Sequence, residues 1–362
     1  MSATENSAVP GSSQPRDAPG QSDGAQAAAQ SNANADNVIE AEEIHDVDEA
    51  DTDSALGEDT QSYTTSLKSA ATNYIRENGR RYHAPKDSAY FLPNDEEELD
   101  RLDLFHHCLL LRQDGKLHFA PIGEDPQRIL DLGTGTGIWA IEMGDKYPSA
   151  EIIGNDISPV QPTSVPPNVR FEVDDIESDW VYSANFDYIH GRYLTGSIKN
   201  WPRLLEQAYR FVKPGGWVEM QDFDMIFYTN GGEFKEGCPA DVWGKSVANG
   251  IQSLGLEPHP GHQLEDWMKK AGFINVKAHL LPMPLGPWPK DPKLKEVGTF
   301  DLLQFLDGLE AISLRVFTYV HKWDPKEVQV FLSQVRKDML NPKMQIQHDY
   351  FIVYGQRPLE QK

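Results

Sequence analysis

Residues 130–143 read LDLGTGTGIWAIEM, and the spacing of their three glycines decides how the chain is understood. An apolar run ends at Leu132, glycines stand at 133, 135 and 137, and a helix-compatible stretch begins at Ile138. Strand, tight turn and helix in that order open a βαβ unit, and open α/β sheets bind ligands at such turns. A phosphate-cradling P-loop needs Lys and then Ser or Thr after its last glycine, whereas Ile138 and Trp139 follow here. A dinucleotide fingerprint needs glycine at the first, third and sixth places; counted from Gly133, the sixth is Ile138. Neither phosphate pattern fits.

Outward from the turn, apolar segments alternate with helical ones. RILDL (128–132), EIIGND (151–156), VRFEVDD (169–175), FDYIHGR (186–192) and GGWVEMQDF (215–223) read as strands, with a helix at WPRLLEQAYRFV (201–212). Such alternation predicts a parallel sheet with helices on both faces. KPGG (213–216) reads as a turn, because Pro214 stops the helix and the glycines admit positive φ. HQLEDWMKKA (262–271) is a helix closed by Gly272, with a strand after it. Asp324, Pro325 and Glu327 form a capping box for a helix that stops at Asn341–Pro342, and DYFIVYG (349–355) is a last strand. About 60 residues separate the last two strands, too many for a hairpin, so a cap insertion over about 281–343 is expected above the ligand edge. Residues 61–127 are charged but periodic and are expected to form a helical lid segment. Within it Asn94 would cap a helix bearing Leu99, Leu102, Phe105, Leu109 and Leu110, ended by Gly115.

The first 60 residues hold 14 acidic residues and one basic residue, Arg16, and so carry −13 of the chain's net −23. They lack aromatics, cannot offset ordering entropy by burial, and are expected to be a disordered acidic tail; a basic partner is the sharper use for them. Two cysteines, Cys108 and Cys238, give no disulfide framework or zinc pattern. No apolar run approaches the ~18 residues of a membrane span and no signal-peptide order opens the chain, so a soluble intracellular protein is expected. An acidic domain with no basic stripe argues against direct nucleic-acid binding.

The pattern D-x-G-x-G-x-G over Asp131–Gly137 resembles motif I of class I S-adenosylmethionine-dependent methyltransferases. That resemblance implies a Rossmann-like, mostly parallel seven-stranded sheet. It also implies that Gly133, Thr134, Gly135 and Gly137 pass close under the amino-acid part of the cofactor, with Asp131 near its ammonium group. Asp156, 19 residues after Gly137 at the end of a strand, would accept the ribose hydroxyls bidentately, with Ile157 beside it. Asp175 with Ile176, or alternatively Asp174, would hold the adenine; a cap on the following helix is the competing use. FDYIHGRYL and FVKPGGWVEMQDF resemble the fourth and fifth strands of the same enzymes. The flanks YIRENGRRYH (74–83), YFLPNDEEELDRLDLFHH (90–107), GKLHFAPI and PLGPWPKDPKLKEVG (284–298) resemble fungal LaeA-like methyltransferases over residues 63–358. By resemblance this implies regulation of development and secondary metabolism, a nuclear or cytoplasmic location, and a velvet-type or paralogous methyltransferase partner. Any membrane tether would come only through an adaptor. The acceptor would be a protein or a small molecule; the alternative is a scaffold subunit with little turnover.

Methyl transfer needs alignment more than acid–base chemistry. His190 and Arg192, at the end of the fourth strand, are expected to face the cleft, with His190 contacting cofactor or taking a proton and Arg192 binding cofactor. Asp222 and Asp224 are weaker candidates. Arg80, Arg81, Tyr82 and His83 lie either on a solvated helix face or on a lid across the cofactor's carboxylate. Met220 and Met225 are read as core. No metal site is expected.

Overall fold

The computed structural model describes residues 39–42, 74–77, 79–83 and 92–359; the rest of the acidic tail lies outside the described residues. Seven strands form one sheet in the order β5-β4-β3-β6-β7-β9-β8. They are β3 (Arg128–Leu132), β4 (Glu151–Asp156), β5 (Val169–Val173), β6 (Phe186–Arg192), β7 (Val212–Phe223), β8 (Ile274–Pro284) and β9 (Gln347–Gln356). Neighbours from β5 to β7 run parallel, while β9 runs antiparallel to both β7 and β8. Strand order therefore reverses between β3 and β6, which opens a crevice at their carboxyl ends. The expected fold class is the observed one.

Alternation along β3 sorts its side chains between two cores. Ile129 packs with Trp139, Ala140 and Met143 of α2 (Ile138–Lys146) and with Ile152 and Tyr188. Leu130 and Leu132 pack on the other face with Leu204, Leu205 and Ala208 of α3 (Trp201–Phe211) and with Leu264 and Met268 of α5 (Leu264–Ala271). A third core joins the sheet's far half to α1 (Glu96–Arg112), α4 (Pro239–Ser253), α6 (Pro292–Arg315) and α7 (Pro325–Leu340). Met220 and Met225 are both buried. The Asp324–Glu327 capping box and the left-handed Gly272 cap stand where the sequence puts them.

Several expectations are corrected. Residues 74–83 are not helical: β1 (Tyr74–Glu77) and β2 (Arg80–His83) form an antiparallel hairpin. The sequence Asn-Gly between the two strands suits a tight hairpin connection, and Gly79 stands at φ 83°. Asp95, not Asn94, caps α1, its carboxylate accepting from Glu98 N, and Glu96, Glu97 and Glu98 complement the helix dipole. The insertion spans 285–346, because β8 runs on to Pro284 and β9 begins at Gln347. It is joined by α4, whose Ala240, Trp243, Val247 and Ile251 recur at helical spacing. KPGG is a bulge inside β7 rather than a turn before it: Phe186 faces Val212 and Tyr188 faces Trp217. Residues 39–42 of the acidic segment are docked on the chain.

Candidate functional site

Gly133, Gly135 and Gly137 all hold positive φ, at 61°, 58° and 82°, which side-chain-bearing residues adopt at a cost. A Cβ on Gly137 would stand 2.3 Å from Phe171 Cζ, and one on Gly133 2.7 Å from Leu194 Cδ2. On Gly135 it would meet only Leu102 Cδ1, at 3.7 Å. Gly135 is therefore the place where the turn leaves room, beneath α1. Asp156 ends β4 and pins this peptide: Oδ2 accepts from Gly135 N and Oδ1 from Ser158 N, both at 2.9 Å. Burial pushes the Asp156 carboxyl up to about 6, opposed by these backbone donors and by that of Ile157. Gln161 Nε2 donates to Gly135 O at 2.7 Å.

Asp131 is placed differently from its expected role. Only 2% of it is exposed; Oδ2 accepts from Thr134 Oγ1 at 2.6 Å and Oδ1 lies 2.8 Å from His190 Nδ1. It holds the turn from behind instead of facing a ligand's ammonium group. His190 likewise does not line the cleft. It is fully buried, and its ring stacks on Trp139 with centroids 3.7 Å apart and planes 7° apart. The cause is register: Asp131 and His190 are paired on adjacent parallel strands, so both point to the face that α2 covers. His190 is a positioning residue, and the proton-accepting role is withdrawn.

Arg192, two residues on and at the strand's end, donates from Nη2 to His106 Nδ1 at 2.6 Å. Burial, aided by Arg192, pushes His106 down to about 3, so its ring is neutral and can accept. Glu142 Oε2 lies 3.1 Å from His106 Nε2. Asp174 extends the β4–β5 pairing through its N–H to Asp156 O at 3.0 Å, and its carboxylate accepts from Asp175 N. Asp175 is exposed and caps the next turn, accepting from Glu177 N at 2.9 Å and Ser178 Oγ at 3.3 Å. Ile176 is buried in the sheet's core.

Asp222 accepts from Leu194 N, Thr195 Oγ1 and Phe223 N, and burial pushes its carboxyl up to about 7. Asp224 accepts from Gly261 N and pairs with His262, which it holds above its ordinary value. Arg80 and Arg81 are not a lid over the turn. Arg80 grips Asp95 through Nε and Nη2 at 2.7 and 2.6 Å, and Arg81 binds Asn94 and Glu96. Tyr82 is buried beneath the Arg315 guanidinium, 3.6 Å from its ring; of His83 only its place in β2 is described.

Sequence reading missed that α1 and the residue before its cap cover the turn. Asn94 Nδ2 donates to Ser158 Oγ at 3.2 Å, and in α1 Leu102 approaches Gly135 and His106 meets Arg192. Spacing of four put 98, 102 and 106 on one helical face, which was a legible signal. Tyr193 carries φ 56°, an outlier for an aromatic residue, and stacks on Phe223 while its hydroxyl accepts from the buried Arg101.

A family model described as a methyltransferase domain matches residues 105–278. "Methyltransferase pytC" of Aspergillus terreus is 41% identical over 305 residues, 83% of this chain and 93% of that protein. "Secondary metabolism regulator LAE1" of Cochliobolus heterostrophus is 36% identical over 294 residues, 79% of this chain and 95% of that one. "Protein-methionine methyltransferase laeA" of Emericella nidulans is 30% identical over 307 residues, 84% and 82% respectively.

The chain belongs to the LaeA-like methyltransferase family. Its cofactor is S-adenosylmethionine, and its activity is methyl transfer from it. The residues present fit that cofactor. Gly135 leaves room for close approach of a ligand to the backbone, and Asp156, partly accessible at the neighbouring strand end, presents a carboxylate that could accept ribose hydroxyls. In a LaeA-like enzyme the cofactor supplies an activated methyl group, and the glycine turn, Asp156 and the α1 face would hold and desolvate it.

Proposed function

We propose that this LaeA-like methyltransferase acts on a neutral, soft nucleophile such as a thioether sulfur, in the service of regulating secondary metabolism. One observation carries this reading: the carboxylates and the guanidinium at or just past the carboxyl ends of β3, β6 and β7 are already engaged. Asp131 serves Thr134 and His190, Arg192 serves His106, Asp222 holds the 194–195 backbone and hydroxyl, and Asp224 holds Gly261 and His262. An acceptor that loses a proton on methylation benefits from a base worth some 10²–10⁴-fold in rate. A thioether loses none, since the sulfur lone pair attacks, the methyl–sulfonium bond breaks, and the product keeps the positive charge. The relative named a protein-methionine methyltransferase points to the same acceptor chemistry. Tyr193, which follows the end of β6 and is in ring contact with both Phe105 and Phe223, supplies an aromatic face that favours a cationic product.

The partner in this reading is a velvet-type regulator or a paralogous methyltransferase, and the setting is nucleus or cytoplasm. No described helix is long and apolar enough to cross a membrane. The test is transfer of a deuterated methyl group in extract, read by mass spectrometry, with Gly135→Glu as control. The expected product is a methylsulfonium formed at a rate flat between pH 7 and 9. O- or N-methyl products would overturn the acceptor assignment, and no transfer beside normal cofactor binding would favour a scaffold subunit.

A further inference from the structure

Residues 39–42, IEAE, lie against the cap as a short added strand. Ala41 bridges Pro289 in antiparallel fashion. Glu42 N donates to Trp288 O at 2.9 Å, and Lys290 N donates to Glu40 O at 2.8 Å. Charge follows the backbone: Glu40 lies 3.7 Å from Lys290, and Glu42 pairs with Lys295. Ile39 is buried, as is Trp288 of the paired segment, which is itself fixed by its Nε1–H to Ile346 O. Backbone pairing, apolar burial and opposite charge thus coincide over four residues of a segment whose composition alone predicts disorder.

We propose that the cap edge Trp288–Lys295 is a docking site for an acidic extended peptide, and that its resident occupant is the chain's own residues 39–42, bound in cis. The site reads backbone through strand addition and charge through the lysines. It accepts Glu-x-Glu because positions 40 and 42 of a strand project to the same side. A cis arrangement is within reach: the 31 residues from 43 to 73 can span on the order of 100 Å when extended. The contact also bears on the enzyme. Lys295 lies in the first turn of α6, and α6 is bound to α1 through Cys108 Sγ to Val297 O and to the turn just after α1 through Lys293 to Asp114. Since α1 covers the glycine turn, the strap fastens the cap at the end that holds the turn's cover. A competing acidic segment from another protein would release the head and expose this edge.

Hydrogen exchange on the full-length protein tests this. The amides of 288–297 are expected to exchange at least about tenfold faster in a Glu40→Lys/Glu42→Lys variant than in the native chain. Raising salt should narrow the difference, as exposed ion pairs are screened. Adding Lys290→Glu/Lys295→Glu to that variant should restore slow exchange, which a merely unfolded cap would not allow. Equal exchange in native and Glu40→Lys/Glu42→Lys proteins would overturn the docking site. Protection that appears only with rising protein concentration would overturn the cis assignment in favour of exchange between two copies.

Discussion

Replacing Gly137 by Ala adds one methyl group at the junction of turn and helix. The residue sits at φ 82°, where an L side chain costs roughly 1–2 kcal/mol. Its new Cβ would lie 2.3, 2.8 and 3.2 Å from three atoms of the Phe171 ring, so the ring must shift, an overpacking that costs about 1–3 kcal/mol. Together these give ~2–5 kcal/mol, and at about 2–4 °C per kcal/mol for a domain near this size the melting temperature should fall by roughly 4–20 °C. Phe171→Leu in the same chain separates the two contributions, since it opens space for the methyl group without relieving the backbone. The double variant should recover the steric part and remain about 1–2 kcal/mol below Phe171→Leu alone. Calorimetric unfolding measures both, and titration with S-adenosylmethionine follows the turn directly: cofactor affinity should fall in both Gly137→Ala proteins. If Gly137→Ala melted within a degree or two of the native protein and bound cofactor equally well, neither the left-handed conformation nor the Phe171 contact would shape the site.

Three further outcomes follow from the geometry. Asp156, with its carboxyl pushed up to about 6 by burial, is ionised above that pH and protonated below it. Calorimetric cofactor affinity should therefore be level above pH 7 and weaken by up to about tenfold per unit below 6, and Asp156→Asn should flatten the profile at an affinity lower by ~1.5–3 kcal/mol. His190→Phe keeps a ring against Trp139 but leaves Asp131 Oδ1 without its buried partner; unfolding by urea should show a loss of ~1–3 kcal/mol. A near-complete loss of transfer in a folded His190→Phe protein would return that histidine to the chemistry. Arg101 is buried on Glu98 at 2.6 Å and on Gln304 at 2.8 Å, so Arg101→Ala should cost about 3–5 kcal/mol in chemical denaturation, and Glu98→Gln with Arg101→Met should recover much of it.

The sheet was legible because each of its strands is marked twice, by composition and by what ends it. RILDL is closed by glycine and EIIGND by its aspartate, and the last α-helix before the final strand is opened by a capping box. The leading segment was less so. Arg80, Arg81 and Tyr82 look like a charged helical face when read by hydropathy, yet the hairpin's signal is the two-residue Asn-Gly turn, a backbone property that hydropathy does not register. Helix α4 was overlooked although Asn230, Gly231, Gly232, Gly237 and Pro239 punctuate the loop before it, because glycine and proline mark a continuing loop as readily as a helix start. Docking of residues 39–42 was beyond composition, because the lysines that receive them lie some 250 positions away.

His190 shows where a motif stops being informative. From its place in the fourth strand it was expected to face the cleft, but whether a side chain near a strand's end reaches the ligand depends on pairing. In register with Asp131, His190 sits one step inside the sheet's edge, and Trp139 of the following helix closes over it. Arg192 lies two residues farther along the same face, past the partner strand's last paired residue, so it escapes that cover and meets His106 from α1. The cleft is therefore made by strand ends together with the helix laid across them, and the residues that complete it on the second side belong to α1, not to the motif. Exchanging His106 for Phe should weaken cofactor binding while leaving the glycine turn and its Asp156 contact intact. Unchanged affinity in that variant would mean that α1 covers the crevice without taking part in it.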